Sequence, residues 1–586
     1  MVDTAIALSA STAMVGGSQT VTASAALFAA TDVGRALAIR AIAPKRNAAT
    51  AYAVGAVFSA SYAGVTRLYR VLVAGTTASF SSSGTTPDYD LNAPREVGNS
   101  ITDGSATLKY LGQGQHCWGW SVITGFTDST HVTVSVDTRG PFVSTSGSTR
   151  WKLGEFNDTR GWPAAMTFHQ GRAWWVRNKV RPQSVWGSQL GDFENMTPTE
   201  PDGTVLATNA ITVTLDDDQL NTASWVLSFT TGLAIGAASG EFMIQPANPN
   251  SGISPDNIRA TRQSDRGSDL QVAPARVSGV VLFTQRGGRK VRQLEYDFST
   301  NSFTTLDLTA LADHITGSGV VESAWQTLPD GVLWLVRADG TLATLTFDRE
   351  HKVRAWSRQV LGGSNVVVES VCVVPSPDGT SDDVYLAVAR TFNGTTVRTI
   401  EYIRAPFRGD IDVASAGFFV DCGLSYSGTP ATTFSGLNHL EGQTVSICAD
   451  GSVRQPKVVT GGSVTATGPA SSVAHIGLPY TTRIETLPIE AGAGAGTAQN
   501  QLKKIDEVSL RFLDTAGGRY GRDGHMEAIS GRTLDMPMSS AVPLFTGDRR
   551  LRFPAGWDRQ GQVVVESDDP LPLTLLAIIT DVQTNG

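Results

Sequence analysis

The stretch GVLWLVRADGTLATLTF, residues 331–347, decides the fold class. It contains two β-prone apolar runs joined by a tight Ala-Asp-Gly turn, which is the pattern of a β-hairpin. Four other segments repeat this design, and their first residues follow one another at intervals of about 50 positions. They are GRAWWVRNKVRPQSVWGS (171–188), GLAIGAASGEFMIQ (232–245), GVVLFTQRGGRKVRQLEY (279–296) and DVYLAVARTFNGTTVRTIEY (383–402).

This spacing predicts how the hairpins are used. A single hairpin cannot bury its own apolar face, so such units must stack around an axis. A period of about 50 residues is typical of a β-propeller with one four-stranded blade per repeat. We therefore predict a mainly β protein, a β-propeller core with additional β-domains on its N- and C-terminal sides. The residues expected on or near buried strands are Trp174, Trp186, Phe283, Trp334, Leu335 and Tyr385.

Composition supports a turn-rich globular protein and limits its partners. The 586 residues are 41% hydrophobic and 17% charged, and 60 of them are glycine. The net charge is −8 and no run of Lys or Arg is present, so the sequence shows no basic patch of the kind that binds nucleic acid. The N-terminus has no basic region followed by a sustained apolar core, which argues against a signal peptide. We expect a protein that is soluble when made.

The turn-rich boundaries predict five parts. Changes in tryptophan, glycine and tyrosine content mark their borders. We also expect the last part to complete a blade, and DLTALADHI (307–315) to form one helical turn with Leu308, Leu311 and Ile315 on one face. The parts are residues 1–50 with 114–160, a discontinuous N-terminal β-domain; 51–113, an inserted small β-module; 161–410, the propeller repeats; 411–545, a β-region with long loops; and 546–586, a C-terminal β-segment.

Cysteine and histidine do not form metal-binding patterns. The four cysteines include no CxxC pair, which favours buried reduced thiols. The sequence does not decide whether Cys422 and Cys448 form a disulfide. The eight histidines show no ligand spacing, and no P-loop or HExxH motif is present. We predict no metal site and no cofactor.

The sharpest carboxylate cluster is Asp216-Asp217-Asp218, in TVTLDDDQLN. Three interpretations apply to it. It is the acid pair of a glycosidase, a solvated turn between strands, or an acidic rim that faces a pore. The Asp-box of sialidase-like propellers is missing, which disfavours an enzyme. We predict no catalytic residue.

Two Gly-Arg clusters are the other polar motifs. RQSDRGSD (262–269) and TQRGGRKVRQ (284–293) are candidates for contact with nucleic acid. Gly287-Gly288 more simply marks the turn of a hairpin. In that interpretation four basic residues lie at its solvent end, namely Arg286, Arg289, Lys290 and Arg292.

Long co-linear motifs make the chain similar to a known family. From residue 241 to 356 the sequence includes NIRATRQSDRGSDLQVAPARV, FTQRGGRKVRQLEYDFSTNSFTTLDLTALADHITGSG and DGTLATLTFDREHKVRAWSR. Further motifs are GWPAAMTFHQGRAWW and PQSVWGSQLGDFENM before it, and HLEGQTVSICADG and TTRIETLPIE after it. Together with DVGRALAI and GWSVITGFTDSTHVTV near the N-terminus, they resemble the tail nozzle proteins (tail tubular protein B) of short-tailed bacteriophages.

The resemblance implies a role, an assembly and partners. Such nozzles are structural proteins of the virion tail, made in the host cytoplasm. They form a homohexamer under the tail adaptor protein, continue the DNA channel and close it at the tip. Residues 411–545 then belong to the nozzle tip or platform, and residues 1–50 with 114–160 form the N-terminal entry or platform domain. The insert 51–113 resembles the small carbohydrate-binding modules found across phage tail proteins. The expected partners are other copies of the chain, the adaptor, tail fibres, double-stranded DNA that passes without specific binding, and a host surface reached through residues 51–113. NQLKK (500–504) departs from the more basic run expected there.

Two sets of site residues follow from this role. An acidic or neutral wall lets DNA slide, so Asp216, Asp217 and Asp218 are the candidates for lining the channel. A gate needs loops with few apolar anchors, which indicates Gly461–Ser472 and Glu490–Gln499. The permissive residues of the second loop are Ala491, Gly492, Gly494 and Gly496. The alternatives are a receptor- or glycan-binding tail protein that works through residues 51–113, and a polysaccharide-degrading propeller enzyme that uses the three aspartates.

Overall fold

The structure is a computed structural model that consists of two compact units, Met1–Leu270 with Leu294–Thr305 and Gln271–Gln293 with Leu306–Gly586. Regular structure in the described residues consists of strands and of short 3-10 turns, without an α-helix. Accordingly, no described segment is a helix long and apolar enough to cross a membrane. The structure describes the chain except for residues 1–4, 14, 63–64, 80–97, 139, 200–204, 219–220, 230, 300–301, 411, 413, 491–496, 538, 555 and 586.

Twelve strands precede the repeats in the described part of the chain. They are β1 (Leu8–Ala10), β2 (Gly17–Ala23), β3 (Ala36–Ile42), β4 (Ala51–Tyr52), β5 (Val57–Tyr62), β6 (Val65–Val73), β7 (Gly75–Thr76), β8 (Ser100–Asp103), β9 (Ala106–Gln113), β10 (His116–Asp128), β11 (His131–Val136) and β12 (Trp151–Leu153). A 3-10 turn, Ala30–Asp32, precedes β3.

Six of these strands form an antiparallel sheet in the order β1-β2-β11-β10-β3-β12. Between β3 and β10 the chain leaves this sheet and forms a second one, β5-β6-β9-β8, with the short pair β4-β7. Because side chains alternate along each strand, each sheet packs one face on a core of its own. Leu37 and Trp151 lie in the first core, and Phe58 and Tyr69 lie in the second.

The repeats form five consecutive meander sheets, four of four strands and a fifth of three. The strands are β13 (Ala165–His169), β14 (Arg172–Val176), β15 (Ser184–Gly187), β16 (Ile211–Thr214), β17 (Ala223–Phe229), β18 (Gly232–Ala237), β19 (Glu241–Gln245), β20 (Arg259–Ser264), β21 (Ala275–Val277), β22 (Val280–Thr284), β23 (Val291–Asp297), β24 (Ser302–Asp307), β25 (Val320–Gln326), β26 (Val332–Arg337), β27 (Leu342–Asp348), β28 (Val353–Gln359), β29 (Val367–Pro375), β30 (Asp382–Phe392) and β31 (Thr395–Ile403).

Each hairpin found in the sequence provides the second and third strands of one sheet. Every residue of β18 and of β22 is buried, as expected of central strands covered on both faces. Of the six residues expected on buried strands, five are buried, while Tyr385 lies on β30 with its side chain 37% exposed. The predicted fold class, mainly β with a β-propeller core and further β-domains on both sides, is confirmed.

Thirteen more strands follow the repeats in the described residues. They are β32 (Asp421–Ala431), β33 (Thr433–Ser435), β34 (Thr444–Ala449), β35 (Ser452–Val458), β36 (Ser463–Thr465), β37 (Ser471–Leu478), β38 (Thr482–Glu485), β39 (Leu502–Thr515), β40 (Arg519–Arg522), β41 (His525–Ala528), β42 (Phe545–Arg552), β43 (Val564–Ser567) and β44 (Leu575–Asn585). Their sheets have the orders β32-β37-β34-β35, β33-β36, β38-β43-β40-β41 and β42-β39-β44. Two 3-10 turns accompany them, Ala414–Ala416 and Asn438–Leu440.

Two local expectations are wrong. The C-terminal segment does not complete a blade, because β44 pairs along nearly the whole length of β39, from Leu502 opposite Asn585 to Phe512 opposite Leu575. The stretch 307–315 forms turns in place of a helix. Leu308 and Ile315 are buried, but Leu311 is 98% exposed, so the three leucine and isoleucine side chains do not share a face.

Candidate functional site

The three aspartates lie on the loop that follows β16, and they have different surroundings. Asp217 has a side chain only 2% exposed, and its Oδ1 lies 2.7 Å from Nη1 of Arg262. The other oxygen, Oδ2, accepts hydrogen bonds from Nδ2 of Asn221 at 3.0 Å and from Oγ of Ser239 at 2.9 Å. The middle carboxylate is therefore held inside the protein by a cation and two neutral donors.

These contacts determine the direction in which the pKa of Asp217 is shifted. Burial raises the pKa of Asp217, but hydrogen bonds and the charge of Arg262 outweigh burial and leave that pKa lowered. Arg262 also approaches the exposed carboxylates of Asp218, at 3.5 Å, and Asp265, at 3.0 Å. Asp216 is exposed as well. A carboxyl with a lowered pKa is a poor general acid, so this arrangement fits a structural ion pair better than a glycosidase pair. Asp216 and Asp218 are the members of the predicted channel-lining set that solvent reaches.

The first Gly-Arg cluster, residues 262–269, is partly buried. Glu241, on β19, is fully buried, and its carboxylate accepts hydrogen bonds from Oγ of Ser264 at 2.6 Å and Oγ of Ser268 at 2.9 Å. A side chain at Gly240 would place its Cβ 2.2 Å from the Ser264 carbonyl oxygen, so the backbone approach requires glycine there. Ser264 and Ser268 thus hold a buried carboxylate, while Asp265 and Arg266 of the same motif are exposed.

The second Gly-Arg cluster is the β22–β23 turn, as predicted. Gly287 and Gly288 have φ values of 92° and 77°, and the Gln285 N–H donates to the Lys290 carbonyl at 2.8 Å. The expectation for Arg292 is wrong. Its side chain is buried and donates to Oε1 of Gln285 at 2.6 Å, because the first four residues of β23 are buried whichever face they point to.

Only part of the predicted gate lies within the residues that the structure describes. Ala491, Gly492, Gly494 and Gly496 lie outside the described residues. The other loop, 461–472, contains β36, and Val464 on that strand is buried. The Glu441 carboxylate accepts the N–H groups of Gly461 and Gly462 at 2.9 and 2.7 Å. This loop is therefore anchored, contrary to the expectation drawn from its composition.

A buried ionic cluster connects the fifth sheet to the sheet that follows it in the chain. Arg390, on β30, is buried, and its guanidinium forms an ion pair with Glu401. Its Nε donates to the Gly362 carbonyl at 2.8 Å, and the Gly362 N–H donates to Oδ2 of Asp421 at 2.6 Å. Burial raises the pKa of Asp421 to about 6. No sequence motif indicates this cluster, because its members lie on separate strands and loops between residues 362 and 421.

The fifth sheet also presents an apolar surface. We call Cys372, Val374, Tyr385, Ile400 and Tyr402 the β29–β31 face; all five are exposed, Ile400 by 75%. Cys372 lies opposite Tyr385, which lies opposite Tyr402, and the two tyrosine rings are 6.0 Å apart. Contiguous apolar exposure of this kind marks interaction surfaces.

The described residues include no group of three or more His, Cys, Asp or Glu side chains arranged to hold a metal ion. All four cysteines are free thiols, so Cys422 and Cys448 are not bridged.

No model of a known protein family matches the chain, and no curated protein matches it. Solved structures are similar to it only distantly. A Bacteroides fragilis protein described as a 6-phosphogluconolactonase is 11% identical, with a TM-score of 0.25 over 64% of this chain and 100% of its own. A protein from Lactobacillus plantarum is 10% identical, with a TM-score of 0.23 over 63% of this chain and 99% of its own. These values carry no conclusion about activity.

Proposed function

We propose that this chain is a structural protein of a short-tailed bacteriophage virion, the nozzle of its tail. In this proposal it assembles as a homohexamer below the tail adaptor, continues the DNA channel and closes it before infection. It has no enzymatic activity, and double-stranded DNA passes it without specific binding.

The observation that carries the proposal is the co-linear run of motifs from Glu241 to Trp356. These residues include strands of three successive meander sheets, from β19 to β28. The similarity therefore extends over buried strands and the turns between them. A stiff, sheet-based wall also suits a tube that must keep its bore while DNA moves through it.

The acidic loop supports a non-enzymatic role. An inverting or retaining glycosidase needs one carboxyl kept protonated near neutral pH. Hydrogen bonds and the charge of Arg262 leave the pKa of Asp217 lowered, and Asp216 and Asp218 are exposed. Exposed carboxylates repel the phosphate backbone, which suits a wall along which DNA slides.

The β29–β31 face supports self-association. One copy of the chain leaves Tyr385, Ile400 and Tyr402 exposed on a three-stranded sheet. Covering such a face with a second copy removes apolar surface from water at about 25 cal/mol per Å². Homo-oligomers with cyclic symmetry bury surfaces of this type.

The test is the oligomeric state and shape of the purified protein. We expect mass photometry to give six copies of the 61.9-kDa chain, and negative-stain images to show a ring with six-fold symmetry. A monomer under all conditions, including in the presence of the adaptor, contradicts the proposal.

A second experiment separates the alternatives. In a particle that carries a deletion of residues 51–113, a nozzle still assembles, whereas a receptor-binding protein loses adsorption to the host. Three aromatic residues of that module, Phe58, Tyr69 and Tyr110, are buried and do not offer their rings to a sugar. Hydrolysis of host polysaccharide by the purified protein, lost in Asp216→Asn or Asp218→Asn, supports the enzyme.

A further inference from the structure

Three neighbouring strands of the N-terminal sheet place basic and aromatic side chains on one face. Trp118 lies opposite Arg40 and Trp120 opposite Ala38 across β10 and β3, while Lys152 lies opposite Ala38 across β12 and β3. Because alternate residues share a face, the positions two residues away belong to the same surface. We call this surface the β12–β3–β10 face; its polar and aromatic members are Arg40, His116, Trp118, Trp120, Arg150 and Lys152.

The two indole rings are fixed by their neighbours. Their centroids are 6.4 Å apart with 35° between the planes. Nζ of Lys152 lies over the Trp118 ring, 4.7 Å from its centroid, which is a cation–π contact. A Cβ at Gly140 would lie 2.1 Å from Cδ1 of Trp120, so glycine is needed where that loop packs on the second ring. Both rings are half-buried and reach solvent.

The face gathers positive charge. None of the strand residues 36–42, 116–122 and 151–153 is acidic. Burial lowers the pKa of His116 and of Lys152, and the charge of Arg40 lowers both further. Asp137 donates its backbone N–H to the Trp120 carbonyl, and the carboxylate of Glu155, which follows β12, pairs with Arg160. In a chain of net charge −8, such a concentration of cations is a local feature.

We propose that the β12–β3–β10 face binds a polysaccharide that carries carboxylates, with an indole ring against a sugar ring and the basic side chains on the acid groups. Arg and Lys pair with carboxylates, and Arg does so through its planar fork. The C–H face of a pyranose is apolar and flat, so it packs on an indole. Duplex DNA offers acid groups but stacks its bases inside, so the tryptophans contribute nothing to its binding. The site lies outside residues 51–113, and the proposal does not depend on the proposed nozzle function.

The experiment is calorimetric titration of the full chain, at 0.15 M salt, with polygalacturonate, alginate and hyaluronate. Dextran serves as the neutral polymer, and a duplex DNA of equal charge concentration is the competing class. The variants are Lys152→Gln and Arg150→Gln. Lys179→Gln is the matched control, since it removes one positive charge from an exposed residue elsewhere.

We expect at least one of the three uronates to bind, dextran to show no heat of binding, and duplex DNA to bind at least tenfold more weakly. The Lys152→Gln and Arg150→Gln variants should each lose at least tenfold in affinity, while Lys179→Gln keeps that of the unaltered chain. The proposal is overturned if none of the uronates binds, if DNA binds as tightly, or if all three variants behave alike. Circular dichroism of each variant checks that a loss of affinity is not a loss of the fold.

Discussion

Arg46 and Asp103 form a bidentate ion pair whose two side chains are both 0% exposed. Nε of Arg46 lies 2.7 Å from Oδ2 of Asp103, and Nη2 lies 2.9 Å from Oδ1. The arginine precedes β4, and the aspartate ends β8 within the inserted sheet. The pair therefore joins the chain that enters this module to its last hairpin.

Removing one partner of this pair should destabilise the inserted sheet. Asp103→Ala leaves the Arg46 charge buried, which costs about 3–5 kcal/mol. We expect faster amide hydrogen exchange in β5, β6, β8 and β9 and faster proteolysis within residues 51–113. Lys45→Ala, a change at an exposed neighbour, should alter stability by less than about 0.5 kcal/mol. Equal exchange in Asp103→Ala and the unaltered chain contradicts the role assigned to the pair.

A second prediction concerns the first meander sheet. Trp174 is buried in the core of that sheet beside Val176 and Val185. Trp174→Ala should lower the free energy of unfolding by about 3–5 kcal/mol, because it removes a large side chain and leaves a cavity. Trp162→Ala, at an exposed position whose Nε1 donates to Asp158, should cost about 1 kcal/mol or less. Thermal melting of the two variants gives the comparison, and similar melting temperatures contradict it.

The fold class could be predicted from the sequence because the hairpin pattern is contained in short segments of the chain. Each hairpin such as 331–347 has its apolar runs and its turn within a short segment, and its strands become the buried centre of a sheet. Tyr385 was misjudged because an alternating pattern does not say which face is covered. The fifth sheet has three strands because the C-terminal strand β44 pairs with β39 and adds no strand to the repeats. This pairing joins distant parts of the chain, so local patterns do not predict it.

The partners of the polar side chains are harder to predict from the sequence than the fold is. Asp217 and Asp218 are adjacent in the chain, yet one is buried against Arg262 and the other is open to solvent. The Arg390–Glu401 pair and the Trp118–Lys152 contact join residues on different strands. A single sequence gives the types of these side chains but not their register across a sheet, and register decides the partners.

Thiol labelling tests the cysteine environments. Burial raises the pKa of the Cys117 and Cys422 thiols to about 12 and that of Cys448 to about 11, while Cys372 is exposed on the β29–β31 face. Since the thiolate is the nucleophile, iodoacetamide at pH 8 should modify Cys372 first in the native monomer. We expect one rapidly reacting thiol, absent in Cys372→Ser, and four after unfolding. Equally rapid reaction of Cys117 or Cys448 in the native protein contradicts these environments. If copies of the chain cover this face, labelling should slow on assembly.

The last prediction concerns the pH dependence of the Arg390–Asp421 cluster. Burial raises the pKa of Asp421 from 3.8 to about 6, partly offset by the Gly362 N–H and by Arg390. The folded state therefore holds this proton more tightly than the unfolded state does. The resulting contribution to stability is fully present below pH 3.8 and is lost as the pH rises through about 6. With allowance for partial exposure, it amounts to about 2 kcal/mol. Asp421→Asn keeps an uncharged side chain at this position, so it should remove the pH dependence.

The measurement is amide hydrogen exchange of β30, β32 and β37 at pH 5 and pH 8, corrected for the intrinsic exchange rates. The unaltered chain should be less protected at pH 8, by several-fold and at most about tenfold in the exchange equilibrium, whereas Asp421→Asn should show no such loss of protection at pH 8. His475 lies on β37 of the same sheet and has a pKa lowered by burial, so His475→Gln serves as the control that must keep the difference. If Asp421→Asn retains the full pH difference, or if His475→Gln removes it, Asp421 is not the group that titrates.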